Sequence, residues 1–296
     1  AYTDEENKKY YENILENVIN SVNYIIVNKS GEVRIFYIVK EKAIISLVTM
    51  NGVDAKKRKG IYSHNIVIDL QDYFKLGAHP AIFEKYFIRD INLRGKIERL
   101  QVASAPKYEP SKPVKIPMGT LKNVLSTLLK GQGVKIICRN KDTSTILKML
   151  YFLLQFLPPT ERLVPYITAS PAKNQSSYKL IVMQEDENLL SDKEWITFDI
   201  NEVKDFSPRD SIDETVNYIV DSYYNKGYEG LEKCHKLWHE IRQKNPDIGF
   251  CARTFLHEIN FREKGIQYFL EETIKKPESP DIIGRCDFII DHLKEI

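Results

Sequence analysis

One run of twelve residues constrains this chain more than any other. Ile146 to Leu157 (ILKMLYFLLQFL) is apolar on more than one face and stops at Pro158 and Pro159. A helix with a single apolar stripe lies on a surface, whereas one apolar nearly all round has to be covered on several sides. The run therefore predicts a buried helix at the centre of a compact α+β domain. Ahead of it Leu121, Val124, Leu125 and Leu128 recur at helical spacing and lead to Gly131 and Gly133, and Val134 to Cys138 reads as a strand. No residues between Thr120 and Ile200 have the spacing of a catalytic or cofactor motif, and no cofactor is predicted.

The remaining pattern follows from period and turn chemistry. Thr3, Asp4, Glu5 and Glu6 form an acidic first turn for a helix carrying Tyr10, Ile14, Leu15, Val18, Ile19 and Val22, since negative charge suits a helix N-terminus. Tyr24 to Asn28, a Lys29-Ser30-Gly31 turn and Glu32 to Val39 read as a hairpin, with Ala43 to Val48 a third antiparallel strand and Ile66 to Ile68 another. Prolines 106, 110, 113 and 117 make 105–117 an extended connector. Strands resume at Tyr166 to Thr168, Lys179 to Met183 and Trp195 to Ile200. After Ile212 only helices follow: Glu214 to Asn225, Gly230 to Gln243, Ala252 to Glu258, Lys264 to Lys276 and Ile282 to Leu293. Strands followed by helices define an α+β class: a mixed, largely antiparallel sheet on a buried helix over 1–205, then an all-helical part over 206–296.

Composition narrows the function classes. With 43 basic and 41 acidic side chains the net charge is +2, which gives no global attraction to nucleic acid or anionic lipid. Cys138, Cys234, Cys251 and Cys286 form no CxxC pair, so the simplest setting is reducing and cytoplasmic. No apolar run approaches the roughly 20 residues that span a bilayer, so no membrane association is predicted. The absence of an initiating Met predicts that Ala1 is a processing boundary.

Five features carry candidate chemistry. His235 and His239 lie four apart on a helix and could face one metal, with Cys234 and His257 as further donors. However, the zinc-protease pattern needs its base directly after the first histidine, where this chain has Lys236, so no metal site is predicted. Glu202-Val203-Lys204, with Asp199 nearby, has the Glu-x-Lys form of a metal-dependent nuclease, but such a site needs carboxylates from at least two elements. Gly131-Gln132-Gly133 passes from a helix into a strand, the reverse of a phosphate loop, and reads as a helix C-cap. Lys56, Lys57, Arg58 and Lys59 form a basic loop that could grip phosphate or an acidic partner. His64, between Tyr62-Ser63 and Ile66-Val67-Ile68 at the entry of a strand, is a possible functional point.

Two segments together carry a family likeness. Gly60-Ile61-Tyr62-Ser63-His64-Asn65-Ile66-Val67-Ile68, then Leu150 to Leu157 with Pro158-Pro159, Arg162 and Tyr166-Ile167-Thr168, resemble the N-terminal domain of bacterial GTPase-associated proteins over roughly residues 30–200. Val164-Pro165 and Ala169 depart from that pattern around the threonine strand. The resemblance implies a non-enzymatic adaptor or accessory protein working beside a GTPase or other NTPase in a bacterial conflict (defence) system, with another protein as its partner. It carries over no catalytic residue, and of the candidates only His64 matches it closely. The alternatives from other classes are a metal-dependent hydrolase or nuclease, and a nucleic-acid-binding accessory subunit acting through the basic loop.

Overall fold

The structure is a computed structural model and describes residues 32–53, 59–87, 113–168, 178–184, 195–275 and 282–293. The chain divides into two compact units, Ala1–Asp205 and Phe206–Ile296. The N-terminal helix, the Tyr24 to Asn28 strand and most of the 105–117 connector lie outside the described residues.

The first unit is a seven-stranded mixed sheet in the order β3-β2-β1-β5-β6-β4-β7. Its strands are β1 (Glu32–Val39), β2 (Lys42–Val53), β3 (Lys59–Asp69), β4 (Gly133–Ile137), β5 (Tyr166–Ile167), β6 (Leu180–Met183) and β7 (Trp195–Asp199). The longest ladders, β1 with β2 and β2 with β3, are antiparallel, as is β1 with β5. From β5 to β7 the pairing is parallel. Among its described residues this unit has the helices α1 (Leu70–Lys75), α2 (Met118–Leu129) and α3 (Thr143–Leu154). Alternation along β1 sends Val33 and Ile35 into a core with Val48, Ile137, Ile167 and Ile181 on one sheet face. Phe36, on the other face, stacks on Tyr166 and meets Tyr73 at a tilt, with ring centres 5.6 Å apart in each pair.

The central helix is α3. Asp142 accepts a hydrogen bond from the Thr145 amide at 2.6 Å, so the helix begins at Thr143, three residues earlier than its apolar run. It ends at Leu154 rather than Leu157, the next residues closing in tight turns (Phe156 N to Leu153 O, Leu157 N to Leu154 O). Every residue from Met149 to Pro158 is buried. A buried helix end leaves carbonyls that water cannot reach, and Arg162 supplies their donors. Its guanidinium, 3% exposed, donates through Nε to Leu154 O (3.1 Å) and Leu157 O (2.7 Å), through Nη2 to Gln155 O (2.9 Å) and through Nη1 to Gly77 O (2.8 Å). In the sequence Arg162 is a mere motif letter. In the fold it is the cap that allows an apolar helix to end inside the protein.

Helix α2 ends as its glycines require. Gly131 takes φ 74°, Gln132 N bonds Thr127 O (3.1 Å) and Gly131 N bonds Leu128 O (2.9 Å), the paired bonds of a Schellman cap. The triplet is thus a helix stop and presents no phosphate-binding turn.

His79 ties the 3₁₀ turn Pro80–Tyr86 to α3. Its Nε2 lies 3.1 Å from Tyr151 O, and its Nδ1 accepts from Ala81 N at 3.3 Å. A carbonyl only accepts and an amide only donates, so the ring is neutral with its proton on Nε2. Burial, and then the nearby Arg162 charge, hold its pKa well below the ordinary value of 6.5. As pH falls through about 6.5 the unfolded chain takes up a proton that the folded one refuses, so stability falls with acidity by at most about 1.4 kcal/mol per pH unit. His79→Gln, which can keep one donor and one acceptor, is expected to flatten the decline of thermal midpoint between about pH 6.5 and 5. An unchanged slope would count against this assignment.

The described elements of the second unit are all helices: α4 (Ser211–Lys244), α5 (Ile248–Lys275) and α6 (Ile282–Leu293). The span of α4 holds two helices joined across the non-helical Gly227 (φ 65°, ψ −154°), in keeping with the two expected over 214–225 and 230–243. The break is sharp. Twenty residues of straight helix span about 30 Å, yet the rings of Tyr218 and Trp238 lie 6.0 and 6.1 Å from that of Phe255. The arms of α4 on either side of Gly227 therefore fold back on each other, and α5 packs against both. Helix α5 also joins the helices expected at Ala252–Glu258 and Lys264–Lys276 across Ile259 to Glu263, because neither glycine nor proline interrupts that stretch. No helix of the described residues is long and apolar enough to cross a membrane.

Candidate functional site

His64 does not stand at the entry of a short strand. Strand β3 begins at Lys59, and His64 lies in mid-strand opposite Leu47, which in turn faces Arg34 on β1. Ile66 to Ile68 is only the apolar end of that strand. The Arg34–Leu47–His64 row lies on one sheet face, and Phe87 covers it: His64 meets the Phe87 ring edge-on at 5.7 Å, and the Arg34 guanidinium sits 5.3 Å from the same ring centre. His64 is half-buried, and burial lowers its pKa, favouring the neutral imidazole.

Arg34, 1% exposed, organises the interior of this row. It donates to Glu84 through Nε (2.8 Å) and Nη2 (2.9 Å), and Nη2 reaches Glu32 at 3.3 Å. The hydroxyl of Tyr151 on α3 donates to the same Glu84 carboxylate. Burial works against the guanidinium charge, but the Glu84 hydrogen bond and attraction outweigh it, and the Arg34 pKa stands above its ordinary value. The cluster joins β1, the 3₁₀ turn and α3. Arg34 and Glu84 neutralise each other through two hydrogen bonds, while Arg34 Nη1 is buried without a hydrogen-bond partner, so the cluster is a paired structural support in the row of His64 rather than an open reaction centre. Sequence offers no sign of it, because Arg34 and Glu84 are 50 positions apart and Glu84 and Tyr151 are 67 apart.

The other candidates are not brought together. Lys59 is the first residue of β3, so that end of the basic run is strand rather than loop; Lys56, Lys57 and Arg58 lie outside the described residues. His235 is buried on α4 whereas His239 is exposed, its Nε2 2.9 Å from the Gln243 side-chain nitrogen. His257, on α5, packs edge-on against Phe288 at 5.7 Å. Among the described residues no group of three or more His, Cys, Asp and Glu side chains is placed to hold a metal. In the Glu-x-Lys triplet, Lys204 pairs with Glu202 itself at 3.4 Å, Thr120 donates to Glu202 O, and Asp199 faces Arg139 at 3.4 Å. Burial, and then Asp199, push the Cys138 thiol up to about 12, where it stays protonated at neutral pH.

What the second unit does present is uncovered apolar surface. On α5, Leu270 and Ile274 are exposed one turn apart, and on α6, Ile283 and Ile290 are exposed two turns apart. Ile274 and Ile283 are 75% and 72% exposed. Residues four and seven apart share a helix face, so each helix turns an apolar stripe outward while Thr273 and Phe288 are buried.

The fold and these features define an α+β chain with a helical second unit bearing exposed apolar stripes. Compared with known proteins, it matches no family model, no curated protein and no solved structure.

Proposed function

We propose that this chain is a protein-binding accessory module of a GTPase or other NTPase in a bacterial conflict system, and that it docks its partner through the outward faces of α5 and α6. The observation that carries the reading is the pair of exposed apolar stripes ending in Ile274 and Ile283. Single exposed apolar side chains are ordinary, but aligned ones on neighbouring helices keep apolar area in water that a partner can cover, at about 25 cal/mol per Å². The identity of the partner rests on the resemblance of residues 60–68 and 150–168 to GTPase-associated proteins.

Co-expression with each GTPase or other NTPase found among the neighbouring genes is the test. A stoichiometric complex is expected on size-exclusion chromatography. The double variant Ile274→Asp and Ile283→Asp should weaken it by at least about a hundredfold, since each side chain contributes roughly 1.5–3 kcal/mol when buried. The thermal midpoint should stay unchanged, because both positions face solvent. No complex, together with Mg²⁺- or Zn²⁺-dependent turnover lost on Glu202→Gln or His235→Ala, would replace this reading with an enzymatic one.

A further inference from the structure

The turn within α4 creates a groove that the docking reading does not use. Gly227 occupies a backbone region essentially confined to glycine. A Cβ at Gly230 would lie 2.5 Å from Ser222 O and 2.9 Å from Lys226 Cβ, so the arms close together here only because Gly230 lacks a side chain. Beside this contact, between the two arms and α5, lies a groove of about 560 Å³. That is the size of a small-molecule site.

Its lining is divided by chemistry. The covered part is apolar, with Leu237 buried and Tyr218 and Ile259 half-buried. The exposed rim carries Lys226, Lys233, Lys236 and Arg262 against Glu240 and Glu263. Among the lining residues four cations face two carboxylates, and two of those cations are held by carboxylates outside the groove. Glu263 accepts the Tyr218 hydroxyl at 2.6 Å, Lys233 pairs with Glu229 at 2.7 Å, and Arg262 meets Glu258 through Nε at 3.3 Å, leaving its other guanidinium donors for the rim. Lys226 and Lys236 have no carboxylate partner among the described residues. An uncharged apolar ligand would ignore the cations, and a bare inorganic anion would leave the apolar wall in water. Cys234 also lines the groove, but burial raises its thiol pKa, so the groove is suited to binding rather than to thiolate chemistry.

We propose that this groove binds a small organic anion, a phosphate or carboxylate carried on an apolar body, with the head among Lys226, Lys236 and Arg262 and the body against Leu237, Ile259 and Tyr218. The proposal is independent of the docking reading, because the groove residues of α5 end at Glu263, about 10 Å along the helix from Leu270, and because it needs no partner protein.

The full chain is titrated with 1-naphthyl phosphate and, in parallel, with 1-naphthol and with inorganic phosphate. Saturable binding of the naphthyl phosphate with a Kd below about 1 mM is expected, with each half-ligand at least about tenfold weaker. Lys226→Glu with Lys236→Glu should weaken it by a further factor of about ten or more, and added salt should weaken it in the wild type. Both lysines are exposed, so the thermal midpoint of the variant is expected to match the wild type. Ile274→Asp with Ile283→Asp should bind the probe as the wild type does, which separates failure here from failure of the docking reading. No saturation by about 10 mM, equal affinity in the lysine variant, or inorganic phosphate binding as tightly as its naphthyl ester would each overturn the proposal.

Discussion

Replacing Arg162 with methionine is expected to remove about 4 kcal/mol or more of the first unit's stability, and to lower its thermal midpoint by roughly 10 °C. Methionine keeps much of the side-chain volume but none of the donors. The carbonyls of Leu154, Gln155, Leu157 and Gly77 would then be left in the protein interior without their guanidinium. Each hydrogen bond to a charged group contributes about 1.5–3 kcal/mol, and losses within one network are less than additive. Against a total stability of about 5–15 kcal/mol, such a loss separates a folded unit from a marginal one. Arg162→Lys should recover only part of the loss, since one ammonium cannot reach carbonyls that the guanidinium fork bridges. Urea denaturation followed by circular dichroism measures this, and a cost below about 1 kcal/mol would show that other donors or water serve these carbonyls.

A charge at the centre of α3 is expected to be at least as damaging. Leu150 is 2% exposed, in the middle of the fully covered stretch from Met149 to Pro158. Leu150→Asp removes about 2–5 kcal/mol of packing and adds an unpaired carboxylate whose burial costs several more, so the first unit should not fold at neutral pH. Lys148→Asp is the control, because Lys148 is exposed on the same helix; its cost should stay near about 0.5 kcal/mol. A cooperative transition for Leu150→Asp within a few degrees of the wild type would contradict the central placement of this helix.

The parts of the fold that sequence makes legible are those fixed by local chemistry. The apolar run before Pro158 marks α3, Gly131 marks the end of α2, and alternation with a short turn marks β1 and β2. Strand β3 shows only its Ile66–Val67–Ile68 end. Its first half (KGIYSHN) has weak strand character, and β2 imposes the extended conformation by pairing from Val53 to Lys42. Gly227 signals a break in α4, but not that Tyr218 and Trp238 meet the same phenylalanine. The Arg34–Glu84–Tyr151 cluster is invisible for a stronger reason, since its members share no period or motif and meet only when β1, the 3₁₀ turn and α3 pack. The groove is intermediate: the Gly227 and Gly230 pair can be read from sequence, whereas the convergence of Lys226, Lys236 and Arg262 depends on the reversal of the chain.

Hydrogen exchange of the full chain, free and saturated with the GTPase or other NTPase that the proposal requires as its partner, tests the docking account most directly. The account predicts slowed exchange over Leu270–Lys275 and Ile282–Leu293, with β3 around His64 unchanged, and no slowing in Ile274→Asp with Ile283→Asp at the same concentrations. A stable complex whose protection falls on β3 or elsewhere in the sheet, with α5 and α6 exchanging as in the free chain, would contradict it.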